Sequence, residues 1–156
     1  MIFRVRAIQQ KLTSGGVSMG TDSLLRELSQ YIFIGIVSSY GKQPGTVVVK
    51  RPDQEDRTTA ELYVISRGTK GTKDYWMPAI DDAVLCILLP NSSGNGPGEG
   101  FVIGAHYSDA DPPKESDPDT RSIRYKDGSY IVNKGGAMEI HASQSLKITA
   151  PEIRLN

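Results

Sequence analysis

The last third of the chain alternates, and the sequence holds nothing obvious to cover it. In "GGAMEIHASQSLKITAPEIRLN" the apolar residues are Met138, Ile140, Ala142, Leu146, Ile148, Ala150, Ile153 and Leu155, with Glu139, His141, Ser143, Lys147, Thr149, Glu152 and Arg154 between them. Period-two alternation is the mark of strands with one buried face. The runs are short, and within the 156 residues no later segment follows to lie over the apolar row. Whatever covers that row decides the fold.

The pattern begins further upstream. "SIRYKD", "SYIVNKG", "AMEIHAS", "SLKITA" and "EIRLN" read as five short strands across residues 122–156. Asp127-Gly128, Gly135-Gly136, Ser143-Gln144 and Pro151 separate them, and Asp-Gly is a strong tight-turn signal. The expected inward set is Ile123, Tyr125, Val132, Met138, Ile140, Leu146, Ile148, Ile153 and Leu155. A lone meander leaves one face wet and is marginal in water. Burying these side chains offsets the entropy of ordering the segment only if a second surface covers them. That surface is either the rest of the chain or other copies of the same tail. The stretch before it, "SDADPPKESDPDTR", is acidic, rich in proline and nearly free of apolar residues, and reads as a linker that separates the tail. The expectation is therefore a homotrimer whose tails form an intertwined triangular β-prism. Apolar residues point inward, and Glu139, Lys147, Glu152 and Arg154 point outward. Closed rotational symmetry gives such an assembly a defined end point.

The remainder divides as follows. Residues 1–20 read as a flexible N-terminal arm, because "LTSGGVSMG" is a Gly/Ser-rich break. A helix is expected over 21–30, with Thr21 or Asp22 as N-cap and Leu24, Leu25 and Leu28 on one stripe. From 31 to 108 the pattern is all-β. "YIFIGIVSSY", "TVVVKR", "AELYVIS", "AVLCILLP" and "GFVIGAHY" read as five strands of an oligonucleotide/oligosaccharide-binding (OB) barrel. Gly35 reads as a bend or bulge, and Gly104 as the point of curvature for closure. Residues 109–121 are the linker and 122–156 the prism. The fold class is all-β: an N-terminal helix, a five-stranded OB barrel, then short strands in a trimeric β-helix or prism.

Composition narrows the functions. Eighteen basic residues balance eighteen acidic ones, whereas a duplex binder carries a basic surplus to neutralise phosphates. Cys86 is the one cysteine, so no intrachain disulfide forms, and within "AVLCILL" it reads as a small core residue. No apolar run is long enough to span a bilayer, and the first residues lack a signal-peptide core, so folding in a cytoplasm is expected. "GNGPGEG" leads into the strand-like "FVIGAHY" rather than a helix, so it reads as a hairpin loop and not a phosphate cradle. His141 falls on the outward set and His106 near the end of the fifth strand. Neither suggests a metal site, and no metal or cofactor is expected. Asp81, Asp82, Asp109, Asp111, Asp117 and Asp119 supply carboxylates, but no base, nucleophile and orienting group come together, so no catalytic residue is assigned and no enzyme expected. Trp76, with Arg67, Lys70 and Lys73 nearby, would be the stacking platform if the barrel bound single strands. With zero net charge, packing over the barrel end or a subunit interface is the preferred reading.

The residues also resemble a family. "LLRELSQYIFIGIVSS", "WMPAIDDAVLCILLP", "GFVIGAHYSDADPP" and "RYKDGSYIV", in that order, are similar to the baseplate assembly protein V family, the central spikes of contractile bacteriophage tails and tailocins, and more distantly to type VI secretion spikes. The resemblance covers about residues 20–156. It implies a homotrimeric structural spike in a virion or tailocin baseplate, assembled in the bacterial cytoplasm. Its barrels would attach to the tail hub protein through a surface the sequence does not specify. Its prism would pierce the target outer membrane on contraction. Some members end in a tip where histidines one residue apart hold a metal. This chain has His106 and His141 far apart, so a separate tip-capping protein is expected on Ile153, Leu155 and Asn156. Asp81 stands where the pattern suggests a turn glycine. The alternative is an OB binding module for single-stranded nucleic acid or saccharide.

Overall fold

The computed structural model describes residues 20–93 and 96–155. The expected arm, apart from Gly20, lies outside the described residues, as does Asn156. The described chain is mostly β with one helix, and it divides into two compact units, the first ending at Ser108 and the second beginning at Asp109.

Helix α1 spans Thr21–Tyr31. Its N-cap is Gly20 rather than Thr21 or Asp22, and no side chain caps the first turn. The Ser23 hydroxyl instead donates to the Gly20 carbonyl at 2.6 Å. The other end is tied down more firmly. Arg51 donates to the Ser29 carbonyl at 2.7 Å, is paired with Asp53, and lies 3.9 Å above the Phe33 ring. A cation on the last carbonyls of a helix is favoured by both the unpaired oxygens and the helix dipole.

Strands β1 (Ile32–Tyr40), β2 (Thr46–Arg51), β3 (Arg57–Val64), β4 (Ala83–Pro90) and β5 (Pro97–Ala105) close into a barrel in the order β1-β2-β3-β5-β4. A closed five-stranded barrel is consistent with an OB-fold-like domain. The interior is made by alternation. Phe33 and Val37 of β1, Val47 and Val49 of β2, Leu62 of β3, Val84, Cys86 and Leu88 of β4, and Val102 of β5 form one buried cluster. Burying each large side chain contributes about 1.5–3 kcal/mol. Strand β3 meets β5 in parallel over two pairs, Tyr63 with Phe101 and Val64 with Val102. The other seams are antiparallel and longer.

Gly35 is not the bulge. A Cβ there would overlap the Val49 side chain and lie 2.8 Å from the Lys50 carbonyl, so glycine lets β2 cross close to β1. The irregularity falls later, between Val37 and Ser39. Asp81 occupies a left-handed conformation, φ 74, in the turn before β4. Its N–H donates to the Val37 carbonyl at 2.9 Å. A glycine would take that conformation without strain, in keeping with the expected turn.

The second unit holds β6 (Arg121–Arg124), β7 (Tyr130–Lys134) and β8 (Ala137–His141) in one antiparallel sheet. Two segments expected as strands, 145–150 and 152–156, form none among the described residues. They have no strand partner among the described residues, and a strand is defined by its ladder. The 109–121 stretch differs from a free linker. Glu115 is paired with Arg124 of β6, and Asp117 closes a turn by accepting from the Asp119 N–H at 3.0 Å.

Candidate functional site

The C-terminal unit is ordered locally and buried nowhere. Its turns are built in full. Asp127 accepts from the Ser129 N–H at 2.9 Å, from the Ser129 hydroxyl at 3.1 Å and from the Ser143 hydroxyl at 3.3 Å. These donors, the Ser129 N–H first, hold its carboxyl below the ordinary range. Gly128 takes φ 89 in the same turn. Gly135 and Gly136 take φ 56 and 82, the double left-handed turn that joins β7 to β8 with the right twist.

Register assigns the faces. Ile123 pairs with Ile131, and Ile131 with Ile140. Asn133 pairs with Met138. Ile123, Ile131, Ile140 and Met138 therefore share one face. The opposite face carries Arg124, Tyr130 and His141 in one cross-strand row, then Ser122, Val132 and Glu139. Tyr130 stacks on His141 with centroids 4.9 Å apart, Arg124 lies 5.2 Å above the Tyr130 ring, and the Tyr130 hydroxyl donates to Glu139 at 2.5 Å. That bond to Glu139 pushes the Tyr130 phenol upward.

Val132 is thus a correction. It lies on the face opposite Ile123, Met138 and Ile140, and Ile131 shares their face instead. His141 and Glu139 lie on the polar face, as the alternation suggests. Tyr125 sits one residue past β6, its N–H bonded to the Ser129 carbonyl. Beyond β8, Glu152 and Arg154 pair at 2.6 Å across one intervening residue. Ile153 and Leu155 carry the apolar positions between and beyond them.

No residue from 109 to 155 is buried. Ile123, Tyr125, Ile140, Leu146 and Ile153 are about half exposed, Met138 67% and Leu155 92%. Ile148 is 65% exposed. The expected inward residues share an environment, which is solvent. The register brings Ile123, Met138 and Ile140 together. Leu146, Ile148, Ile153 and Leu155 belong to the segment without strand partners.

The barrel offers less. A cleft of about 240 Å³ lies beside the β1–β2 turn, lined by Tyr40, Gln43, Pro44, Tyr75 and Met77 among others. Glu61 rigidifies that turn by accepting from the Lys42 and Gln43 N–H groups and the Thr46 hydroxyl. These bonds, the Lys42 N–H first, lower its pKa. Trp76 is half-buried and donates to the Ile65 carbonyl at 2.8 Å, so the indole N–H is engaged by the barrel itself. Arg67 is paired with Asp74. Cys86 is buried, and desolvation pushes its thiol up to about 12. His106 is exposed, with Nδ1 2.9 Å from the Tyr107 carbonyl. Gly94 and Asn95 lie outside the described residues, and Pro97 onward is strand.

Among the described residues no three His, Cys, Asp or Glu side chains come together as metal ligands, and no helix is long and apolar enough to cross a membrane. Sequence reasoning missed Arg51, although "TVVVKR" places it on the inward set with Val47 and Val49, where a charge needs partners. No protein-family model matches the chain, and no curated protein matches it.

Proposed function

We propose that this protein is a homotrimeric structural spike of a contractile injection device, of the kind found at the centre of phage and tailocin baseplates. The observation that carries the reading is a unit with defined turns, defined register and no buried residue. A folded segment that buries nothing alone gains its interior from outside. Three tails wound about one axis would cover the face carrying Ile123, Ile131, Met138 and Ile140, and would give residues 145–155 their missing strand partners. A rod of interlocked chains resists axial load because its ladders run between subunits. In this reading the barrels attach to the tail hub, a separate tip protein docks on Ile153, Leu155 and Asn156, and contraction drives the rod through an outer membrane. The function is mechanical, with no catalysis and no cofactor.

Native mass measurement tests this. The spike reading expects a stable species of three 17.0 kDa chains, resistant to detergent. A monodisperse single chain with an ordered C-terminal unit would overturn it.

One observation favours a second reading, an OB module for a saccharide or single strand. Tyr40 and Tyr75, both exposed, flank the cleft beside the β1–β2 turn, and exposed aromatic rings are stacking platforms. Binding of oligonucleotides or oligosaccharides that is lost in Tyr75→Ala would support it.

A further inference from the structure

Strand β4 reads AVLCILLP, apolar at every position. A strand apolar on both sides is one buried on both sides. Inside the barrel Val84, Cys86 and Leu88 are buried, but outside Leu85 and Leu89 are exposed. Neighbouring strands widen this outer face. Ile34 lies beside Leu85 and Ile32 beside Ile87. Ile87 lies beside Phe101, and Phe101 beside Tyr63. Exposed Ile103 extends it along β5. None of these positions carries a charge.

The same unit has a second uncovered apolar surface. Leu24, Leu25 and Leu28 of α1 share a stripe, and none is buried. Tyr31, further along that stripe, packs on the core, so the leucines continue a packed face past the point where the barrel supports it.

We propose that the outer face of β1, β4 and β5 is covered by helix α1 of a second copy of this chain, an inference that rests on the trimeric reading above. A helix laid on a sheet is a standard way to bury an apolar face of each. A closed three-fold ring needs two different, complementary surfaces on every copy, one for each neighbour, and this unit has two. The three leucines of the stripe and Ile32, Ile34, Leu85, Leu89 and Ile103 of the face are all exposed, and clustered apolar side chains of this kind form the core of an interface. Apart from Glu99, two residues before Phe101 on the same side of β5, the outward residues named here are apolar, which suits a permanent contact, and identical chains tethered by their tails meet at high local concentration.

The test uses the full chain. Buried Cys86 does not compete for thiol reagents, so introduced cysteines report alone. A short bifunctional maleimide is applied to the double variant Leu25→Cys/Leu85→Cys and to each single variant, with the mass of the uncross-linked protein measured alongside. Covalent trimers from the double variant, and single chains from each single variant, are expected. In a trimeric protein, no interchain product from the double variant, or dimers from Leu85→Cys alone, would overturn this contact and leave the tail reading standing. A monomeric parent protein would overturn both. Ile34→Cys provides a second measurement should Leu85→Cys fold poorly. In the assembled protein its thiol is expected to label at least tenfold more slowly than that of Thr58→Cys, and equal rates would overturn the contact.

Discussion

The barrel and the C-terminal sheet are built from the same alternation and reach opposite results. In the barrel, closure turns every inward residue toward others of its kind, and Val37, Val47, Val49, Val84 and Val102 lose all contact with solvent. In the C-terminal unit three strands and two tight turns are equally well formed, yet every apolar side chain keeps exposure. Local backbone order and burial are separable. Turn chemistry and register specify the first, and only a second layer supplies the other.

The largest test of this contrast places a carboxylate in each interior. Val84→Asp buries an unpaired charge inside one chain and is expected to cost more than about 4 kcal/mol, abolishing the barrel's melting transition at any protein concentration. Ile148→Asp is expected to abolish trimers while the barrel transition, followed by Trp76 fluorescence, persists. A trimer that survives Ile148→Asp with unchanged melting means the inward face is assigned wrongly. Next comes dilution. The C-terminal transition is expected to fall further in temperature on dilution than the barrel transition, because the barrel keeps a buried core of its own and the C-terminal unit, in the trimeric reading, has none without association. Parallel behaviour would erase the distinction. A finer comparison lies within the sheet. Ile131→Asp is expected to weaken association strongly and Val132→Asp only slightly, and the reverse order would restore the simpler sequence reading.

That last pair shows where sequence stops. The bounds of β2 and β4 are legible because turns and prolines punctuate them, and most of the barrel's interior follows from alternation. "YIVNK" is different. Tyr130, Ile131 and Val132 are apolar in succession, so the pattern has no phase, and the face is set by Arg124 pairing with Tyr130 across the Asp127-Gly128 turn. β3 begins at Arg57, earlier than "AELYVIS" suggests, because the left-handed pair Glu55 and Asp56 ends the preceding turn. The candidate site was legible as an apolar row in need of a cover. The cover is not, since alternation marks which face is apolar and does not say what lies over it.

Acid gives a smaller effect in both units. Glu61 in the barrel and Asp127 and Glu115 in the C-terminal unit have lowered pKa values, held there mainly by the Lys42 N–H, the Ser129 N–H and Arg124 respectively. A depressed carboxyl contributes stability that is complete above the ordinary carboxylate range, about pH 5, and is lost as pH falls below about 4. Asp127→Asn is expected to flatten that acid response in the C-terminal transition alone, measured by melting across the range. An unchanged C-terminal response would assign it to other groups. The smallest change is Asp81→Gly, which relieves a left-handed residue and is expected to shift the barrel by no more than about 1 kcal/mol in stability. A loss above that size would show the Asp81 side chain to be needed.

The parallel junction of β3 with β5 carries a mechanical consequence. Two residue pairs, the Tyr63–Phe101 ring contact and a hydrogen bond from the Ile65 N–H to the Val102 carbonyl at 3.0 Å hold it, against five pairs between β1 and β4. A cylinder fastened least along one line opens there first, as a coat opens at its buttons. Amides flanking that line should exchange hydrogen soonest, and a load applied across the cylinder would unroll it from this edge.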